Sequence, residues 1–289
     1  EENNYIPNSF ARLKAKESNT VGVIVPTLNS KVTSRVVTSI GRYLRSQGYE
    51  ALIKDSDHSP KLELENINRL FTQKVDGILF SAISLTEEHK QLLMNSPVPV
   101  VVLAQNFEEG ITVTMDDYTA GKTMGSFMGS RVHGKIAYLG VEEEDEAVGI
   151  FRRQGVLEGI KESGSQVMTV ETGDYSYASG QEMMEKVLEK GLPDGVICAT
   201  DRLAFGAYRI LQKHGILIPE QVSVAGFGGY DESELLSPQL TTLRFDSYGL
   251  GYLGAETLLK MIREAPVPKK QIVGCERIPG KSVRTENTV

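Results

Sequence analysis

Asp194–Asp246 reads DGVICATDRLAFGAYRILQKHGILIPEQVSVAGFGGYDESELLSPQLTTLRFD. A short apolar run, Gly195 to Ala199, stops at Thr200-Asp201, and these two residues open an apolar-periodic helix. A loop with Pro219 follows, then a second apolar run from Val222 to Gly226 that ends in the turn Phe227-Gly228-Gly229-Tyr230. Short continuous apolar runs alternating with helical patterns predict buried strands of a parallel sheet. Ligands of such sheets bind where strand carboxyl ends meet helix N-termini. Thr200-Asp201 and Gly228 both fall at such ends, so this stretch is expected to carry half of a ligand site.

The alternation extends through most of the chain. Toward the N-terminus, strands are expected at 21–25, 51–54, 75–80, 98–103 and 111–115, with helices at 32–46, 61–73, 87–94 and 118–131. The pattern then repeats with strands at 135–139 and 166–171 and helices at 148–162 and 178–190. After the quoted stretch come a helix at 250–263 and one extended segment from 271 to 278. Two sets of βα units in tandem imply an α/β fold of two doubly wound parallel-sheet subdomains with a ligand cleft between them. One large open sheet is the alternative, but single cores seldom grow past roughly 250–300 residues.

Composition narrows the function classes. The 289 residues are 40% hydrophobic and 24% charged, which is ordinary globular usage. No apolar run approaches the roughly 18 residues of a membrane span. The net charge of −7 argues against a broad basic surface for nucleic acid, so any such contact must be local. The start, Glu1-Glu2-Asn3-Asn4-Tyr5, is neither basic nor apolar, unlike a signal peptide, and without an initiator Met it reads as a cut point. Cys198 and Cys275 look like small core residues, a usage that suits a reducing cytoplasm.

Catalytic and metal motifs are weak throughout. Gly249-Leu-Gly-Tyr-Leu-Gly254 matches a dinucleotide fingerprint as a string, but no βαβ unit follows; glycines that let helices approach closely explain it better. Gly129–Lys135 resembles a phosphate loop, yet Ile136 stands where Ser or Thr is needed. The four histidines have no metal-ligand spacing, and no metal, cofactor or catalytic residue is expected. Glu142–Glu146 reads as a solvated acidic loop.

Three features point instead to binding. Arg152-Arg153, in the first turns of the helix after that loop, can aim a multi-donor fork at vicinal hydroxyls or a carboxylate; they read equally as a solvent-facing pair beside the acids. Tyr175, on a post-strand loop, can pack on a sugar's C–H face or serve structurally. Phe245 lies at an expected subdomain crossing, where core packing is the plain reading.

In order and spacing, several segments together resemble the lactose/galactose-repressor (LacI/GalR) family of bacterial transcription regulators. They are Tyr5-Ile-Pro-Asn-Ser-Phe-Ala-Arg, Val21-Gly-Val-Ile-Val-Pro, Val75-Asp-Gly-Ile-Leu-Phe, Asp116-Asp117 and Lys135-Ile-Ala-Tyr-Leu-Gly. Arg152-Arg-Gln-Gly, Cys198-Ala-Thr-Asp-Arg-Leu-Ala-Phe-Gly-Ala, Val222-Ser-Val-Ala-Gly-Phe and Pro238-Gln-Leu-Thr-Thr-Leu complete the set. The resemblance covers nearly the whole chain.

It implies a periplasmic-binding-protein-like core that follows a hinge helix and a helix-turn-helix lying outside this sequence. The hinge positions match Asn8, Ala11, Arg12 and Leu13, with Ala11-Arg12-Leu13 one residue shorter than the usual spacing; Leu13 or Phe10 would be the minor-groove wedge. Arg152 matches the pocket arginine, Thr200 a position often Asn, Tyr175 a stacking aromatic and Phe245 a crossing position. Asp201 follows Thr200, while Ser81 and Thr27 match the first subdomain's side. Gly228 stands where the family commonly has an acid, so a disaccharide or phosphosugar comes into view beside simple sugars.

The implied function is a sugar-responsive repressor core: a cytoplasmic homodimer acting on operator DNA, with no cofactor and no membrane partner. The expected bounds are 1–17 for the linker, 18–116 with 245–273 for the N-terminal subdomain, and 117–244 with 274–289 for the other. Helix 32–46 and the helix after Asp246 are the candidate dimer face. A transporter's sugar-binding protein shares this fold but would carry a signal or lipobox. An enzyme would need a general acid or base, and none presents itself.

Overall fold

A computed structural model describes residues 18–285. Asn8, Ala11, Arg12 and Leu13, the expected DNA hinge, lie outside the described residues.

The first half of the chain lays down β1 (Thr20–Val25), α1 (Lys31–Ser46), β2 (Glu50–Asp55), α2 (Pro60–Thr72), β3 (Gly77–Ser81), α3 (Glu87–Met94), β4 (Val100–Leu103) and β5 (Ile111–Met115). Each helix start is signalled locally. The side chains of Ser30, Ser59 and Thr86 accept the backbone N–H three residues on, satisfying donors the first turn leaves open. In the sheet, β1 pairs in parallel with β2 and β3, β3 with β4, and β4 with β5.

The second half gives α4 (Asp117–Val132), β6 (Lys135–Val141), a π-helix (Glu146–Arg152), α5 (Arg153–Glu162), β7 (Gln166–Gly173), α6 (Tyr177–Glu189), β8 (Gly195–Cys198), α7 (Asp201–Lys213) and β9 (Ser223–Phe227). A 3-10 turn (Asp231–Leu235) and β10 (Thr241–Phe245) follow. The chain then runs through α8 (Ser247–Ile262), β11 (Lys270–Val273) and β12 (Cys275–Ile278).

Two six-stranded sheets result, ordered β11-β5-β4-β3-β1-β2 and β12-β10-β9-β8-β6-β7. Each belongs to one compact unit, residues up to 114 with 247–271, and residues 115–246 with the segment from 272 onward. The first crossing thus falls two residues before the expected one, and Phe245 belongs to the second unit rather than the first.

Three local readings are corrected. The helix expected at 148–162 begins as a π-helix at Glu146 and turns α-helical only at Arg153. The extended segment 271–278 is two strands, β11 in one sheet and β12 antiparallel to β10 in the other, broken at Gly274. β10 itself, which pairs with β9, carries no apolar run long enough to stand out in the sequence.

Helix packing rests on bare backbone. A Cβ at Gly121 or Gly125 of α4 would lie 2.2 Å from the Arg152 carbonyl or 2.3 Å from that of Val156. One at Gly155 or Gly159 of α5 would lie 2.1 Å from the Tyr118 carbonyl or 2.3 Å from that of Lys122. The two helices are therefore in main-chain contact along two turns, which fixes where α5 begins. In the first unit Gly251, within the fingerprint-like string, brings α8 against α1: its Cβ would stand 2.4 Å from the Val36 carbonyl.

Gly125→Val should drive α4 and α5 apart and cost about 3 kcal/mol, the upper range for overpacking. Gly41→Ala on α1, where nothing lies within 4 Å of the added carbon, should stabilise by about 0.5–1 kcal/mol from helix propensity alone. Denaturant unfolding of the two variants checks both signs; a neutral Gly125→Val would mean the helices are not locked at their backbones.

Candidate functional site in the second unit

The carboxyl ends of β6, β8 and β9 deliver Arg152, Ala199 and Phe227 to one place. The π-helix puts Arg152 there: Asp145 caps it by accepting the Val148 N–H at 3.1 Å, and the chain turns inward at its last residue. Arg152 is 6% exposed. Its Nε donates to Asp117 Oδ1 at 2.8 Å, Nη2 donates to the same oxygen, and Nη1 donates to the Ala199 carbonyl at 2.7 Å. The rings of Phe227 and Phe245 stand 5.0 and 5.1 Å from its guanidinium carbon, within cation–π range. Three of the five guanidinium N–H bonds are thereby used. The remaining two, one on each terminal nitrogen, have no partner among the described residues.

Asp117 sits in the first turn of α4, behind the capping residue Asp116, whose carboxylate accepts the Thr119 N–H at 3.0 Å. Burial pushes the Asp117 carboxyl up to about 6, with the Arg152 guanidinium pulling the other way. A charge this deep persists only when paired, so the carboxylate and the guanidinium require each other.

The remaining expected residues fall into two groups. Tyr175 lies in this unit, and its hydroxyl donates to Asp145 Oδ2; burial, with Asp145 adding to it, pushes the phenol well above its usual range. Thr200 is the N-cap of α7, its hydroxyl accepting the Leu203 N–H at 3.3 Å. Asp201 is fully buried. Its carboxylate accepts from Thr242 Oγ1 at 2.6 Å, the Tyr230 N–H at 2.8 Å and Ser233 Oγ at 3.3 Å, so it holds the turn after β9 against β10. Gly228, at φ +133°, has no room for a side chain: an added Cβ would meet the Tyr230 ring at 2.7 Å. The Tyr230 ring thus lies against the position where the family resemblance expects an acid. Ser81, at the end of β3, and Thr27, just past β1, are both half-buried in the first unit.

The Arg152-Arg153 pair divides. Arg152 turns inward, while Arg153 pairs with Glu143 of the acidic loop, as a solvent-facing arginine would. The sequence reading missed Asp117, Phe227 and Asp145 as members of the site. Asp117 left a signal, an acid in a helix's first turn after a strand; Asp145 was hidden inside an acidic run read as solvated. Among the described residues no cluster of His, Cys, Asp and Glu could hold a metal ion, and no helix is long and apolar enough to cross a membrane.

A doubly wound α/β core with a buried arginine at the carboxyl edge of a sheet defines a ligand-binding domain of the periplasmic-binding type. Comparison agrees: residues 127–283 match the periplasmic binding protein-like domain family. The chain is 30% identical over 284 residues to catabolite control protein A of Staphylococcus aureus, covering 95% of this chain and 84% of that protein. It is 27% identical over 281 residues to the sucrose operon repressor of Staphylococcus xylosus, covering 96% and 86%. A crystal structure of the lac repressor dimer, bound to operator and an anti-inducer, shares the fold with a TM-score of 0.90 at 22% identity, covering 98% of this chain and all of that one. The chain belongs to the LacI/GalR family of bacterial transcription regulators.

The raised Asp117 carboxyl has a measurable consequence. Its folded-state value of about 6 lies above the ordinary 3.8, so the folded protein binds the extra proton between these limits. The associated stability is present below pH 4 and is lost as the pH rises through 6. Asp117→Asn has no such proton, so its denaturant midpoint should fall less than that of the wild type between pH 4 and 6. Parallel pH profiles would show that the carboxyl titrates elsewhere.

Proposed function

We propose that this chain is the effector-binding and dimerisation core of a sugar-responsive repressor, and that Arg152, Asp117, Tyr175 and Phe245 form the second unit's share of the effector site. The observation that carries it is the pair of unpartnered N–H bonds on a guanidinium otherwise fixed by Asp117, Ala199 and two aromatic rings. Such a fork, already oriented and desolvated, suits vicinal ring hydroxyls. Thr200, Asp201 and Gly228 shape that edge from behind. Ser81 and Thr27 are the first unit's candidates.

The names of the relatives supply the class of ligand. One is a sucrose operon repressor, and the lac repressor structure holds operator DNA and an anti-inducer. We read the present chain in the same way, as a cytoplasmic homodimer without catalytic activity that reaches operator DNA through the family's helix-turn-helix. Effector binding would bias the two subdomains between arrangements and alter the spacing of paired hinge segments. Coupling of roughly 1–3 kcal/mol suffices to change operator occupancy. α1 and α8, the latter carrying the half-exposed Tyr248 and Tyr252, are the proposed dimer face.

The test is thermal unfolding against glucose, galactose, sucrose, cellobiose and their phosphates. A sugar at about 100 times its Kd adds about 2.7 kcal/mol, or roughly 5–10 °C at about 2–4 °C per kcal/mol for a chain of this size. Arg152→Lys keeps the charge opposite Asp117 but loses the fork, and should abolish most of that shift. Absence of a shift across the panel would remove the support for a sugar effector, and an unchanged shift in Arg152→Lys would remove the arginine from the site.

A further inference from the structure

Tyr138 lies in β6, wholly buried, within the core between the second sheet and its helices. Its hydroxyl is one of the few buried side-chain oxygens with no hydrogen-bond partner among the described residues. A phenol in such surroundings ordinarily finds a partner. Left alone, the oxygen costs more than the same ring without it, so a phenylalanine would serve the core better.

The ring has a definite direction. A Cβ built on Gly140 would stand 2.8 Å from Tyr138 Cε1 and 3.4 Å from Cδ1, so the ring runs along β6 toward its carboxyl end and rests over a residue without a side chain. That end of the sheet is where Arg152, Ala199 and Asp117 meet. The charges acting on the phenol match this direction. Burial pushes it above its usual range, and the guanidiniums of Arg152 and then Arg153 pull it back. It therefore stays protonated at neutral pH and keeps its proton to donate. Arg152, for its part, keeps two N–H bonds open on its terminal nitrogens, and Asp117 accepts both of Arg152's bonds on Oδ1 alone.

We infer that Tyr138 is a ligand-contacting residue of the second unit's site, its hydroxyl donating to an effector oxygen that Arg152 grips from the other side. This rests on the effector reading above and deepens it. The oxygen so held must accept from both a phenol and a guanidinium, as a ring hydroxyl, ring oxygen or carboxylate oxygen does and an amine does not. A hydrogen bond that this hydroxyl makes only to the effector would favour the bound state selectively.

The test is Tyr138→Phe, measured by thermal unfolding of the full chain and by calorimetric titration with glucose, galactose, sucrose, cellobiose and glucose 6-phosphate. Without sugar, the variant should melt at or above the wild-type temperature, because a phenyl ring fills the same space without an unpaired oxygen. With the sugar that shifts the wild type, its Kd should rise about two- to tenfold, the weight of one neutral hydrogen bond. A ligand-free midpoint several degrees lower would overturn the inference, since it would show the hydroxyl already partnered at rest. So would an unchanged Kd. Either result leaves the effector reading standing, because Arg152→Lys tests that separately; no response of the wild type to any sugar would overturn both.

Discussion

The contact between Arg152 and Asp117 is the constraint on which the second unit's architecture turns. A guanidinium and a carboxylate, each under a tenth exposed, tolerate burial only together, and together they join the end of the π-helix to the first turn of α4. The join is possible because α4 and α5 approach through glycines at 121, 125, 155 and 159. Were either helix displaced by a side chain's width, the fork could not reach Oδ1 and the Ala199 carbonyl at once. The extra residue of the π-helix completes the geometry by bringing position 152 inward while position 153 points back toward Glu143.

Around this pair the site is framed by groups already satisfied internally. Asp201 holds the Phe227–Tyr230 turn, Thr200 caps α7, and Asp145 both caps the π-helix and receives the Tyr175 hydroxyl. Such a frame fixes its donors and acceptors in advance of any ligand. Tyr230 packs over Gly228 and stands edge-on to Phe205 at 6.3 Å.

The sequence by itself determined much of this. Short apolar runs and tandem βα spacing made the parallel parts of the two sheets legible, because these signals act within a few residues of one another; β10 and the antiparallel β12 left no such mark. Arg152 was legible as a candidate because an arginine pair after a strand and an acidic loop either aims a fork inward or faces solvent, two readings its chemistry leaves level. Periodicity alone did not show which of the two arginines turns inward, since one residue of π-helix decides it and leaves no periodic mark; the family resemblance pointed to Arg152.

Only the tertiary structure decided the partners. Asp117 lies 35 positions from Arg152, and Thr242 lies 41 from Asp201; no local pattern links such pairs, and desolvation, which makes them obligatory, exists only once the core has closed. The same holds for Tyr138, an ordinary strand residue in the sequence. Burial alone made its hydroxyl conspicuous, because an unpaired oxygen is costly only where water cannot reach it.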